Sequence, residues 1–292
     1  MPYKKKWNEI LPATKELLKI TLPSLVNEYL NFKNKNLIFF DLETLGFHPT
    51  FEYEQITEIA ATSVCGNTTD VQKQLHYKIS LSKSSKNLID EVDSVERYNW
   101  ETRQRRRGKT AFTSPCEILE FTQYYQNSCE YVDEKYAISE FFKFIEKTQN
   151  AVLVAHNTEF DINYILTRGS RYGLTLPDAE IIDTLKISRF FFIPMLRTLV
   201  DDKVAAEILS CLTRHHPRQK TKIHFSSKLG DLATALQVNS VNWHTADADV
   251  QMMYEIFIKM ISLFKNNDNV DINKHKKTAF HEVFKKNKKS VA

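Results

Sequence analysis

A short apolar run that ends in two acidic residues constrains this chain more than any other feature. Leu37 to Phe40 are all apolar, a length typical of one buried strand and too short for a typical helix. The run ends in Asp41-Leu42-Glu43, and alternate residues of a strand face the same side. Asp41 and Glu43 should therefore project together from the end of a core strand. A divalent cation such as Mg²⁺, which prefers carboxylate oxygens, would relieve the repulsion between them.

The acidic pair does not define a site by itself. The chain has 36 acidic residues among 292. About four acidic pairs with this spacing are therefore expected by chance. A pair that faces water at the edge of a strand explains the pattern equally well. The assignment depends on whether further carboxylates follow other predicted strands or begin helices.

The composition is that of an ordinary folded protein. Hydrophobic residues make up 42% and charged residues 26%, and the net charge of +4 permits a polyanionic partner without requiring one. The cysteines form no CxxC pair and are interpreted as free thiols in a reducing compartment. No apolar run approaches the roughly 20 residues that cross a bilayer, and the basic start lacks the apolar segment of a secretory signal. We expect a cytoplasmic or nuclear location and no membrane partner.

Hydrophobic periodicity beyond the first strand predicts an α/β domain. Before that strand, residues 7–32 are amphipathic and predict short helices. A further segment begins as a strand at Glu180 and becomes helical until Pro194 interrupts it, and residues 195–225 are interpreted as irregular. The remaining predicted strands lie at 55–64, 72–81 and 151–155. The remaining predicted helices lie at 134–148, at 229–238 and from about 246 to Phe264.

A second acidic position follows the predicted strand at 151–155. That strand ends in HNTEFD, which places Asp161 in the first turn of a helix. Thr158 and Asp161 also match a helix-capping pattern, which needs no metal. A capping role and a metal-binding role both remain open for Asp161 at this point.

A third acidic position opens the long apolar helix near the end of the chain. Thr245 is a natural N-cap, His244 lies just before the helix, and Asp249 lies about one turn inside it. His244 and Asp249 should therefore be neighbours in space. Asp247 faces another direction and is interpreted as a surface residue.

Two basic segments have open interpretations. Residues 103–109 include Arg105, Arg106 and Arg107 and are flanked by aromatic residues, a combination that suits single-stranded nucleic acid. A solvated loop or a nuclear-localisation segment explains the same residues. His215, His216 and His224 could form a metal site, but no carboxylate or cysteine completes it, so an exposed basic loop is favoured.

The three motifs together resemble those of the DnaQ-like (DEDDh) 3′→5′ exonucleases. The matching segments are DLETLG at 41–46, HNTEFD at 156–161 and HTADAD at 244–249, and the resemblance runs from Asn36 to Phe264. It implies an RNase H-like α/β fold with a mixed five-stranded sheet flanked by helices. The implied organisation is an N-terminal helical extension (1–35), an exonuclease domain (36–265) and a basic C-terminal tail (266–292). Insertions in that domain are expected at about 82–135 and 193–225.

The resemblance also implies roles for individual residues. The ligands of two Mg²⁺ or Mn²⁺ ions would be Asp41, Glu43, Asp161 and Asp249. His244 would be the general base, and an ordinary imidazole pKa near 6.5 suits that role. Substrate-binding positions would be Thr44, Leu45 and Gly46 around the terminal nucleotide, and His156 and Asn157 near a phosphate or sugar. Leu45 replaces a Thr or Ser that many members carry, which leaves its side-chain contacts open.

The predicted function is metal-dependent 3′→5′ exonuclease activity that releases nucleoside 5′-monophosphates. Single-stranded DNA is the first choice of substrate because of the basic and aromatic segment. An exoribonuclease of the RNase T type is one alternative, and a non-catalytic nucleic-acid-binding module on the same fold is another. A polymerase or another replication or repair protein is a candidate partner.

Overall fold

A mixed β-sheet forms the centre of the described part of the chain. The computed structural model describes residues 34–86 except 47, 53 and 67, and then 131–199, 202–216, 219–239 and 245–266. Along the sheet the strand order is β4-β3-β2-β1-β5-β6. The bounds are β1 Asn36–Thr44, β2 Ile56–Cys65, β3 Val71–Ile79, β4 Tyr131–Val132, β5 Ala151–Ala155 and β6 Glu180–Asp183. β2 pairs antiparallel with β1 and β3, whereas β5 is parallel to both β1 and β6.

The predicted α/β class and mixed sheet are confirmed, with one strand more than the five expected. The additional strand is β4, whose two residues pair in parallel with Lys78 and Ile79 at the end of β3. It is too short to leave a periodic pattern in the sequence.

Helices cover both faces of this sheet. Their bounds are α1 Glu134–Glu146, α2 Thr158–Arg171, α3 Thr184–Ile187, α4 Ile193–Thr198, α5 Lys203–Leu212, α6 Leu229–Ala235 and α7 Ala246–Asn266, with a π-helical turn at Ser188–Phe192. Among the described helices, none has the length and apolar character needed to cross a bilayer.

The alternation along β1 divides the core into two layers. Phe39 packs edge-on against Phe257 of α7, with ring centroids 5.4 Å apart. Phe40 faces the opposite layer, where its ring centroid is 5.3 Å from that of Phe141 in α1. Asp41 and Glu43 continue the face of Phe39 by the same alternation. They therefore point toward the layer that contains α7.

Two predictions for the segment after β6 are wrong. Pro194 does not end the helical run, because it lies in the first turn of α4, directly after the π-helical turn Ser188–Phe192. Residues 195–225 are not irregular, since they contain α5 and a hairpin of β7 (Thr213–His216) and β8 (Gln219–Phe225). Helix α5 is held by its cap, where Asp202 Oδ1 accepts from the Ala205 N–H at 2.8 Å, and by its buried apolar side.

The predicted basic surface at the hairpin is described in part, and several other predictions fall on residues that the structure does not describe. His215 and His224 lie exposed on the hairpin, as expected for a basic surface, but the side chain of His216 is outside the described residues. The helices predicted within 7–32, the arginines at 105–107, His244 and the tail from 267 also lie outside them.

Candidate active site

The structure brings together three of the four acidic residues predicted as metal ligands. Asp41, Glu43 and Asp249 each place a carboxylate oxygen within 4.8 Å of the others. The first two extend from the end of β1, and the third lies in the first turn of α7, where its N–H donates to the Thr245 carbonyl at 3.0 Å. Packing of α7 across Phe39 positions Asp249 over the end of β1.

Asp161 lies beside this cluster at the start of α2. Its carboxylate accepts from its own backbone N–H and from that of Leu42, which lies between Asp41 and Glu43. The alternative capping arrangement is absent: Thr158 Oγ1 donates to Asp183 Oδ2 at 3.1 Å, and Asn157 is the N-cap without a side-chain bond. Asp161 is 3% exposed, and its charge acts on Asp41.

Burial and mutual repulsion raise the pKa values of these acids. Burial is the largest cause of the raised pKa of Asp41, followed by the charges of Asp161, Glu43 and Asp249. Burial and the charge of Asp249 raise the pKa of Glu43 to about 8. Burial raises the pKa of Asp161 to about 8 as well, against the two backbone hydrogen bonds, which lower it. Carboxylate oxygens are the donors that hard divalent cations prefer, and a bound cation would relieve the repulsion between these groups, so the residues fit Mg²⁺ or Mn²⁺.

One acidic residue near the site was missed by the sequence reasoning. Glu58 on β2 pairs directly with Glu43 on β1 and has no exposed surface. Its charge adds to the raised pKa values of Asp41 and Glu43. A single carboxylate within the apolar sequence of β2 was the available signal. Its proximity to Glu43 depends on the register of two strands, which the local sequence does not specify.

The loop after β1 is fixed by hydrogen bonds beside the carboxylates. Thr44 Oγ1 donates to the Gly46 carbonyl at 2.8 Å, and the buried Tyr164 donates to the same oxygen at 3.0 Å. The Leu45 N–H donates to the Gln55 carbonyl at 3.0 Å. A Cβ atom at Gly46 would clash with the carboxylate of Glu54, so a side chain there would displace Glu54. The structure thus gives this loop a defined shape, and its contact with a nucleotide stays a prediction.

His156 is held as a neutral ring between two loops. Nε2 donates to the Ser227 carbonyl at 2.9 Å, and Nδ1 lies 3.0 Å from Thr184 Oγ1. Burial lowers the pKa of His156 to about 4, which keeps the ring uncharged at neutral pH. These contacts join the turn after β5 to the loop before α6. A contact between His156 and substrate stays a prediction.

Asn157 and Asp183 shape the start of α2. Asn157 has a left-handed backbone with φ of 80°, its side chain is exposed, and its N–H lies 3.3 Å from Asp183 Oδ1. Asp183 at the end of β6 also accepts from Thr158, and its charge contributes to the raised pKa of Asp161. Asp183 was not singled out by the sequence reasoning, although its place at the end of a strand was the same signal as for Asp41.

Comparison with known families tests the resemblance found in the sequence. The model of the exonuclease domain of family B DNA polymerases matches residues 14–211. The chain belongs to this exonuclease family. The resemblance to DnaQ-like 3′→5′ exonucleases is thereby confirmed, and the assignment as an exonuclease domain follows from the family.

The relatives of this exonuclease domain include bacterial DNA polymerases. It is 32% identical over 119 residues to the PolC-type DNA polymerase III of Caldanaerobacter subterraneus subsp. tengcongensis, a match that covers 41% of this chain and 6% of the polymerase. It is 24% identical over 192 residues to the PolC-type enzyme of Pediococcus pentosaceus, covering 65% of this chain and 11% of that enzyme. The chain thus spans only a small part of these polymerases.

Among solved structures, the exonuclease domain is similar to E. coli exonuclease I. The complex of that enzyme with a dT13 oligonucleotide has a TM-score of 0.54 and 15% identity, covering 80% of this chain and 42% of exonuclease I. A product-bound structure of exonuclease I has a TM-score of 0.53 and 13% identity, covering 80% and 45% of the respective chains. At this level of identity the similarity establishes the RNase H-like fold.

Proposed function

We propose that the chain is a 3′→5′ exonuclease that releases nucleoside 5′-monophosphates from single-stranded DNA with Mg²⁺ or Mn²⁺. The proposal is carried by one observation, the convergence of Asp41, Glu43 and Asp249 within 4.8 Å at the end of a core strand. Asp161 interacts with Asp41 from the start of the neighbouring helix. Separate capping or surface roles for these acids would not require them to meet.

Four carboxylates are suited to hold two divalent ions. When bound, such a pair supplies Lewis-acid polarisation of the phosphate and lowers the pKa of a water molecule. Asp41 would be a central ligand of these ions, because its carboxylate lies within 4.8 Å of those of Glu43 and Asp249 and is affected by the charge of Asp161. His244 is assigned, from its sequence position, as the base that takes a proton from the attacking water.

The proposed substrate is single-stranded DNA. A fold neighbour, E. coli exonuclease I, has been solved with the oligonucleotide dT13. The segment that contains Arg105, Arg106 and Arg107 would bind phosphates of the strand, and neighbouring aromatic residues would stack on bases. The fixed loop Thr44–Gly46 would bind the terminal nucleotide, with His156 and Asn157 near its phosphate or sugar.

A replicative polymerase is the proposed partner. The relatives whose names include DNA polymerase III carry a matching segment within a much longer chain. Removal of mispaired 3′ ends would be the corresponding role, in the cytoplasm or nucleus.

Digestion of three polymers with a label at the 5′ end tests polarity and substrate together. With Mg²⁺, single-stranded DNA should yield a ladder that shortens from the 3′ end, with nucleoside 5′-monophosphates as products. Duplex DNA and RNA of the same sequence should be degraded more slowly. Internal cleavage, or faster digestion of RNA than of DNA, would contradict the proposal.

A further inference from the structure

A second cluster of potential metal ligands lies beside the catalytic carboxylates. Glu58, His76 and Asp247 each place one ligand atom within 4.8 Å of the others. His76 Nε2 lies 2.5 Å from Glu58 Oε1. Glu58 is fully buried, whereas His76 and Asp247 are exposed, so the cluster is open to solvent on one side.

The fold places these residues together through two strands and a helix. β2 and β3 pair Glu58 with Lys78 and Ala60 with His76, which puts Glu58 and His76 diagonally on the same face of the sheet. Ala60 on that face packs in the core layer of α7. Asp247 lies in the first turn of α7, and its charge acts on the His76 ring. The three ligands therefore come from separate, well-ordered elements, as in a built site rather than in a loop.

The chemistry of the three groups differs from that of the catalytic cluster. The neighbouring site offers carboxylate oxygens, whereas this cluster adds an imidazole nitrogen, which favours zinc over magnesium. Two carboxylates balance the charge of a divalent cation, and three protein ligands leave one position for water in a tetrahedral zinc site.

We propose that Glu58, His76 and Asp247 form a zinc-binding site distinct from the catalytic metal site. The two sites adjoin, because Glu58 pairs across the sheet with Glu43 and Asp247 lies two positions before Asp249. A zinc ion here would neutralise Glu58, whose charge contributes to the negative potential around Asp41 and Glu43. The occupied site would in this way influence the catalytic carboxylates without supplying a ligand to the nuclease reaction.

Zinc titration by calorimetry tests this site in the full chain. The catalytic carboxylates are kept saturated with excess Mg²⁺, at about pH 8, where imidazole is ordinarily neutral. The wild type should bind one zinc ion more than His76→Ala, or bind it at least about 10-fold more tightly. His48→Ala is the matched control, because it removes another exposed imidazole that belongs to neither cluster, and it should bind zinc like the wild type.

A second variant separates loss of a ligand from loss of the fold. His76→Gln keeps a polar side chain that can donate to Glu58 but offers zinc a poor ligand, so it should show the same loss as His76→Ala. Equal stoichiometry and affinity in the wild type and both His76 variants would overturn the proposal. The titration does not measure nuclease activity, so its failure and failure of the proposed exonuclease function are distinguishable.

Discussion

Replacing Glu43 with glutamine should stabilise the metal-free protein. Glu43 ionises at 4.5 when unperturbed, but burial and Asp249 raise its pKa to about 8 in the folded chain. The folded protein therefore retains a proton that the unfolded chain has lost, and its stability falls as pH rises between these two values. Each unit of pH in that interval costs about 1.36 kcal/mol, which amounts to about 3 kcal/mol at neutral pH. Glutamine resembles the protonated acid and does not incur this cost.

The measurement is urea unfolding in EDTA at neutral pH and at about pH 4.5, the unperturbed pKa of glutamate. Glu43→Gln should raise the free energy of unfolding by about 3 kcal/mol at neutral pH and by almost nothing at the acidic pH. The control is Glu207→Gln on α5, whose side chain is 64% exposed and which should leave both values unchanged. Added Mg²⁺ should stabilise the wild type more than Glu43→Gln. An equal or lower stability of metal-free Glu43→Gln at neutral pH would refute the reasoning.

Two further predictions concern other parts of the molecule. Arg168 binds the buried Glu134 at 2.6 and 2.9 Å, so Arg168→Met leaves the carboxylate without its ion-pair partner and should lower the free energy of unfolding by about 3–5 kcal/mol. Denaturant unfolding measures this loss, and a loss below about 1 kcal/mol would contradict the prediction. Replacing Arg105, Arg106 and Arg107 together with alanine should reduce the slope of log affinity for single-stranded DNA against log salt by about 2, whereas an unchanged slope would exclude phosphate contacts by these arginines.

The four acidic residues could be predicted as candidates because the signals that mark each of them are local. Asp41 and Glu43 share a face through the alternation of one strand, and Asp161 and Asp249 occupy first turns of helices that their own sequences specify. Convergence of the four followed from the resemblance, which combined three separate motifs. None of these inferences required knowledge of how strands pair.

Long-range pairing explains what the sequence did not reveal. Glu58 approaches Glu43 only through the register of β1 and β2. The capping pattern of Thr158 was overridden by Asp183, which lies 25 residues away and takes the Thr158 hydroxyl. Asp247 is exposed, as the sequence predicted, but only the fold shows that α7 brings it within 4.8 Å of Glu58 on β2 and His76 on β3.

Helix α5 was missed for a different reason. The segment 203–212 has an apolar side that buries Ala205, Ile208 and Leu212, but it is short and lies between proline and histidine-rich stretches that suggested a loop. An amphipathic pattern of this length is decided by the core against which it packs rather than by its own propensity.

Mg²⁺-dependent release of nucleoside 5′-monophosphates from single-stranded DNA, compared between the wild type and Asp41→Asn, tests the central claim most directly. The substitution keeps the shape of the side chain but removes the charge of a carboxylate that would hold the metal ions. The wild type should lose activity in EDTA and regain it with Mg²⁺, and Asp41→Asn should be slower by at least about 100-fold, as expected for loss of a central electrostatic group. Glu207→Gln should match the wild type. An Asp41→Asn protein that is folded and digests DNA at the wild-type rate would contradict a metal-dependent site built on these carboxylates.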